Sequence, residues 1–227
     1  MKILIILTSH DRIGDSDRKT GLWFEELTTL YYVFRDAGAE VDIASVAGGQ
    51  VPVDPHSIEE AGKNPVSVDR FLADAAAMAK IKSSPAIANV RADDYDAVFL
   101  PGGHGTMWDM PDNATLGALL SDAWAKGKVV AAVCHGPAGL VSAKDQAGKP
   151  LVSGRTVSAF SNEEEEMAGL TQQVPFLLET RIRNLSAHYE SGPAFQPFAR
   201  RDGKLVTGQN PQSSEEVAHL VLAAVRG

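Results

Sequence analysis

The chain holds a single cysteine, Cys134, at a position suited to a nucleophile. The apolar run Val129 to Val133 leads straight into it, and His135-Gly136-Pro137 come next. Ala132 and Gly136, two positions to either side, are both small. This is the spacing of a nucleophile elbow, a sharp strand-to-helix turn whose crowded backbone excludes large neighbours, with sulfur in place of the usual hydroxyl. A cysteine at the start of a helix faces the positive end of the helix dipole, so the spacing predicts a thiol pKa below the ordinary ~8.5. An inert buried cysteine is the commoner use of the residue, and the small flanking residues are what favour chemistry here. A second block, Leu100-Pro101-Gly102-Gly103-His104-Gly105, puts glycines directly after an apolar strand. Such glycines can turn backbone N–H groups inward as an oxyanion hole requires, although a plain tight turn uses the same residues. A third group is the pair Glu25-Glu26 in the first helical stretch. A carboxyl group beside a thiol can share its proton or take one from a substrate, although paired glutamates also decorate ordinary helix surfaces. Adjacent helical residues point about 100° apart, so only one of the two can face the sulfur. Together these groups point to thiol addition at a carbonyl carbon.

The elements that must position them can be read from periodicity. The run over 3–7 reads as a strand buried on both faces, and the polar loop 9–20 leads into a helix over 22–37 stopped by Gly38. A strand over 41–45 completes a βαβ unit. Residues 48–94 break the rhythm with turn residues and one helical stretch over 68–82, and read as an insertion. Strands over 95–100 and 129–133 flank a helix over 113–126, and a short helix over 136–143 comes after the cysteine. Residues 149–158 suggest a hairpin, and 163–183 two helices broken at Pro175. A late strand over 205–207 and a closing helix over 213–225, with Ser213 as its cap, end the chain. The run Glu163-Glu164-Glu165-Glu166 reads as a solvated helix start. The pattern predicts an α/β fold: one domain over 1–227, built on a doubly wound, mostly parallel sheet with helices on both faces and a small insertion after the second strand. Ligands in such sheets bind beyond the carboxyl ends of the strands, which selects the loops after Leu7, Leu100 and Val133.

Composition narrows the function further. The 227 residues are 44% hydrophobic, enough for a core without disulfide or metal staples. A formal net charge of -8 argues against nucleic acid or an anionic membrane as a partner. No signal-peptide pattern and no apolar run of membrane-spanning length is present, and a lone cysteine fits a reducing compartment, so the expected location is cytoplasmic. The six histidines are scattered with no zinc-ligand spacing, so neither a metal nor an organic cofactor is expected.

Three segments carry a family resemblance: LPGGHGTMWD over 100–109, VVAAVCHGPAGL over 129–140 and LVTGQNPQ over 205–212. They resemble the ThiJ/PfpI superfamily, whose flavodoxin-like sheet and elbow are similar to those of class I glutamine amidotransferases. The segment 51–82 and the sequence AVCHGPA look like the branch of heat-shock chaperones that act as glutathione-independent glyoxalase III. The resemblance implies Cys134 as nucleophile, His135 as the histidine beside it, and Glu26, five residues after Gly21, as the acid. It implies that the Gly103 and His135 N–H groups form an oxyanion hole, with Gly102 and His104 beside them at the substrate. The implied reaction is lyase chemistry that detoxifies methylglyoxal or a related 2-oxoaldehyde. It would yield the hydroxy acid through a cysteine hemithioacetal, with a small-molecule aldehyde as the partner. By the same resemblance the protein is a homodimer. One departure keeps other functions open. Amidotransferases complete a triad with a downstream His-x-Glu, and His188-Tyr189-Glu190 offers one here, although before the late strand. A cysteine peptidase or amidase, a holdase chaperone and a cysteine redox sensor therefore stand as alternatives.

Overall fold

Alternation along the central strands builds the molecule. A computed structural model describes residues 1–227. In chain order the first half contains β1 (Lys2–Leu7), α1 (Phe24–Asp36), β2 (Glu40–Ser45), α2 (Val66–Ala73), α3 (Ala75–Lys82), β3 (Ala97–Leu100), α4 (Thr106–Asp109) and α5 (Ala114–Ala125). The second half contains β4 (Val129–Val133), β5 (Thr156–Val157), α6 (Asn162–Met167), α7 (Leu178–Asn184), β6 (His188–Tyr189), β7 (Ala199–Asp202), β8 (Leu205–Gly208) and α8 (Ser214–Arg226). Ile3, Ile5 and Leu7 enter one apolar core, while Leu4 and Ile6 enter a second core on the other face of the sheet. Ala97 and Phe99 separate from Val98 and Leu100 in the same way, as do Ala131 and Val133 from Val130 and Ala132. Strands apolar on both faces must be covered on both faces, which is why they pair in parallel with helical crossovers.

The sheet has the order β2-β1-β3-β4-β8-β7, parallel throughout except for β7, which runs antiparallel to β8. Phe24, Leu27, Leu30 and Phe34 of α1 and Val217 and Val221 of α8 fill the first core. Leu116, Leu119 and Leu120 of α5 and Leu178 and Ile182 of α7 fill the second. Burying a side chain of this size stabilises the fold by about 1.5–3 kcal/mol. The chain leaves β1 toward β2 on one side and returns to β3 on the other, so a crevice opens at the carboxyl ends of β1 and β3, beside β4.

Four expectations are corrected. The single helix over 68–82 is two, because the Asp74 side chain accepts the N–H groups of Ala76 and Ala77 and starts a new helix there. No hairpin forms over 149–158. Consecutive turns lead instead into β5, which pairs in parallel with β6, Thr156 opposite His188. The edge strand β7 is absent from the sequence reading because Arg200-Arg201-Asp202 is polar; charge on an exposed edge also discourages pairing with another chain. Ser213 precedes α8 without capping it, its hydroxyl donating to Asn210 Oδ1 and accepting the Phe198 N–H.

Candidate active site

Cys134 lies at the carboxyl end of β4 with φ of 59°, in the left-handed region that a side chain rarely adopts. Two backbone bonds hold it there: its N–H donates to Gly208 O at 3.0 Å, and its carbonyl accepts the Phe160 N–H at 2.9 Å. The next turn closes tightly enough that a Cβ on Gly136 would lie 2.0 Å from Leu100 O. The small residue of the elbow spacing therefore answers a real backbone contact.

The sulfur has a base on one side. His135 Nδ1 lies 3.3 Å from Cys134 Sγ, and His135 Nε2 lies 2.8 Å from Glu165 Oε2. The other oxygen of Glu165 lies 2.8 Å from His104 Nε2. An ionised carboxylate only accepts, so each imidazole donates from Nε2, and His135 Nδ1 is left with its lone pair toward the thiol. Burial opposes ionisation of Glu165, but the two histidines outweigh it and hold its carboxyl well below the usual range. Burial, assisted by His104, pushes His135 below the ordinary imidazole pKa in spite of Glu165, so its ring is a neutral base.

On the other side is an acid. Glu26 is fully buried on the first turn of α1, and burial pushes its carboxyl up to about 8. Its Oε2 accepts the Gly102 N–H at 2.6 Å. Its Oε1 has no hydrogen-bond partner among nitrogen or oxygen atoms, and the neighbouring polar group is the Cys134 thiol. Glu25 points elsewhere and is half-exposed. Burial, together with Glu26 and Glu164, pushes the Cys134 thiol up, and the Gly103 N–H opposes the shift only in part. The low thiol pKa expected from a helix terminus is thus overturned. The elbow leads only into a short 3₁₀ segment, Gly136–Ser142, whose dipole competes with deep burial and two carboxyl groups. The sulfur holds its proton at rest, and His135 is placed to remove it as a bond forms.

The glycine block divides its tasks. The Gly103 N–H is directed at the sulfur, and the His135 N–H has no acceptor in the chain. A Cβ on Gly103, whose φ is 95°, would lie 2.3 Å from Gly21 O and Trp23 N. Gly102 differs from the expectation: its N–H is committed to Glu26 and is unavailable to an oxyanion. His104 borders the cavity, its ring 4.1 Å from that of His135 and its Nε2 held by Glu165. His188 lies exposed on β6, with its N–H on Arg155 O, and Glu190 pairs with Arg200, so the His-x-Glu sequence is outside the site.

The glutamate run is the largest correction. Glu164 and Glu165 are buried, at 0% and 2% exposure, on a helix opened by a capping box with Ser161. Glu164 Oε1 accepts from Asn210 Nδ2 and from the Phe195 N–H, both at 2.8 Å, and so ties two loops over the site. The Ser-x-x-Glu spacing marks the helix start, but nothing in a run of four glutamates marks which two face inward.

These groups border a cavity of about 170 Å³ lined by Trp23, Cys134, His135, Phe160, Phe195 and Pro211. Since a water occupies ~30 Å³, the space suits a ligand of about five or six non-hydrogen atoms. A larger groove of about 580 Å³, with Trp124, Arg155 and Lys204, lies toward the amino ends of β4 and β8, away from Cys134. The smaller cavity is the reactive one, because the carboxyl ends of the strands converge there.

The sequence profile of the DJ-1/PfpI family matches residues 22–224. The glutathione-independent glyoxalase HSP31 of Saccharomyces cerevisiae is 33% identical over 231 residues, which cover 96% of this chain and 94% of the yeast protein. The crystal structure of glyoxalase III from Candida albicans is 31% identical with a TM-score of 0.90, over 99% of this chain and 97% of that one. The X-ray structure of the Francisella tularensis Rapid Encystment Protein 24 KDa is 40% identical with a TM-score of 0.94, over 99% and 98% of the two chains. The chain therefore belongs to the DJ-1/PfpI family, where it groups with the glutathione-independent glyoxalases.

Proposed function

We propose that the protein converts methylglyoxal, or a 2-oxoaldehyde of similar size, to the 2-hydroxy acid without glutathione. One observation carries this reading. A cysteine thiol in a small cavity stands between a neutral imidazole base, His135, and a buried carboxyl, Glu26, that keeps its proton to about 8. Full-length relatives that are about 30% identical and are named glyoxalases support the same reading.

The geometry supports a stepwise route through a thioester. Cys134 Sγ bonds to the aldehyde carbon while His135 Nδ1 takes the thiol proton, and the carbonyl π pair moves to oxygen. The Gly103 and His135 N–H groups stabilise that oxygen, and protonation gives a hemithioacetal. Glu26 protonates the neighbouring ketone oxygen. As the carboxylate it removes the hydrogen of the former aldehyde carbon, giving an enediol. Reprotonation at the second carbon leaves a thioester, and water activated by His135 releases lactate and the thiol. The aldehyde carbon is oxidised and the ketone carbon reduced within one molecule, so no external redox partner is needed. About six non-hydrogen atoms, the substrate plus one water, match the cavity volume.

Purified protein incubated with methylglyoxal, with no glutathione, should form lactate, and Cys134→Ser should form none. Equal rates for the two proteins, or no product from either, would refute the reading.

A further inference from the structure

Glu165 is shared by two imidazoles. His104 Nε2 and His135 Nε2 lie 2.8 Å from its two oxygens, and the three potential ligand atoms all lie within 4.8 Å of one another. The sequence shows no such cluster because the residues come from three places, after β3, after β4 and on α6. His104 and His135 also line the cavity, so the cluster adjoins it. Charge points the same way. Glu164 and Glu165 are buried carboxyl groups, and neither pairs with a lysine or arginine. Their partners are Ser161, Asn210 and Phe195 N–H for Glu164, and the two histidines for Glu165. Two imidazole nitrogens and one carboxylate oxygen, with water as a fourth ligand, are a donor set that suits Zn²⁺.

We propose that His104, His135 and Glu165 form an inhibitory site for a divalent transition ion such as Zn²⁺, which takes the His135 ring out of service as the base of Cys134. Each imidazole binds through Nε2 and keeps one proton, which moves from Nε2 to Nδ1. The two Nε2–H bonds to Glu165 are replaced by bonds to the ion. His135 Nδ1, 3.3 Å from the sulfur, then carries a proton and cannot accept another. Cys134 is not a ligand. The metal site stands independently of the glyoxalase reading; only the inhibition rests on it.

Chelator-treated protein titrated with zinc chloride in a calorimeter tests the site. One Zn²⁺ per chain is expected in the wild type and in Cys134→Ser. His104→Gln should raise the dissociation constant at least about tenfold. The absorption spectrum of the Co²⁺-loaded wild type is independent of whether the variants fold. It should show tetrahedral d–d bands and no thiolate-to-cobalt charge-transfer band. A charge-transfer band, loss of binding in Cys134→Ser, or undiminished binding in folded His104→Gln would each overturn the proposed site. With methylglyoxal, one equivalent of Zn²⁺ should cut turnover to below about a tenth, reversibly with chelator. Turnover undiminished at full occupancy would overturn the inhibition. Stoichiometric zinc binding by a protein inactive without zinc would leave the site standing and sink the glyoxalase reading instead.

Discussion

Replacing Glu26 by glutamine should stabilise the protein while removing most of its turnover. The carboxyl ordinarily titrates at 4.5 but holds its proton to about 8 in the folded chain, because it is buried. A group whose folded pKa is raised favours the folded state fully below its unfolded pKa, and that benefit is lost as pH rises toward the folded value. At about pH 7.5 the unfolded chain has ionised Glu26 and the native chain has not, a linkage cost of about 4 kcal/mol. Glutamine has no proton to lose and can still accept the Gly102 N–H. Allowing about half of the gain to be lost to an imperfect amide contact with the thiol, Glu26→Gln should be more stable by about 2 kcal/mol. That is a melting temperature about 4–8 °C higher for a chain of this size. The contact cost is the same at every pH while the gain falls by about 1.4 kcal/mol per pH unit, so the advantage should vanish near about pH 6 and reverse below it. Turnover should fall about tenfold to a thousandfold, as the loss of a positioned acid–base group does. Thermal melts of both proteins across this pH range, with steady-state rates at each pH, make the check. A variant less stable than wild type at neutral pH, or a difference independent of pH, would refute the claim that Glu26 is buried as the neutral acid.

The remaining predictions use the same geometry. The rate profile of kcat/KM should fall above about pH 8 as Glu26 loses its proton, and its acid limb should lie below the ordinary imidazole range because burial lowers His135. A basic limb well above that of Glu26, or an acid limb at or above the free-imidazole value, would contradict the assignment. Glu165→Gln should lower turnover by about 10²-fold or more, since an amide cannot hold the imidazole tautomer that a carboxylate does, and Glu25→Gln should be nearly silent; the reverse ranking would contradict a base held through the Cys134–His135–Glu165 contacts. His188→Ala should leave turnover within about threefold because the ring lies outside the cavity, and a large loss would restore the His-x-Glu alternative.

The sheet and the elbow are legible in the sequence for a physical reason. Strands such as β1 and β4 are apolar on both faces, and a turn as close as that at Gly136 admits only a glycine, so local composition carries the constraint. Cys134, His135 and Gly103 are legible for the same reason. Resemblance separates Glu26 from Glu25, and the structure shows the cause in the helical phase that turns one inward and leaves the other half-exposed. Glu165 is not legible. A buried glutamate resembles its solvated neighbours in sequence, and its burial is set by His104 and His135, which approach it only after two crossovers. The thiol pKa escapes for a related reason: a helix-terminus argument sees the chain on either side of the cysteine but not Glu26 and Glu164 packed against it. The β5–β6 ribbon escapes because its pairing is set by α6 and α7 in between, and β7 because its residues are polar.

The central claim is that Cys134 and Glu26 together rearrange a 2-oxoaldehyde through an enediol. Proton NMR of methylglyoxal with the wild-type protein in deuterium oxide, without glutathione, tests it most directly. The account predicts lactate that carries deuterium at its second carbon, because the hydrogen moves as a proton by way of an exchangeable carboxyl. Lactate that retains only protium at that carbon, as a direct hydride shift would leave it, or no lactate at all, would contradict it.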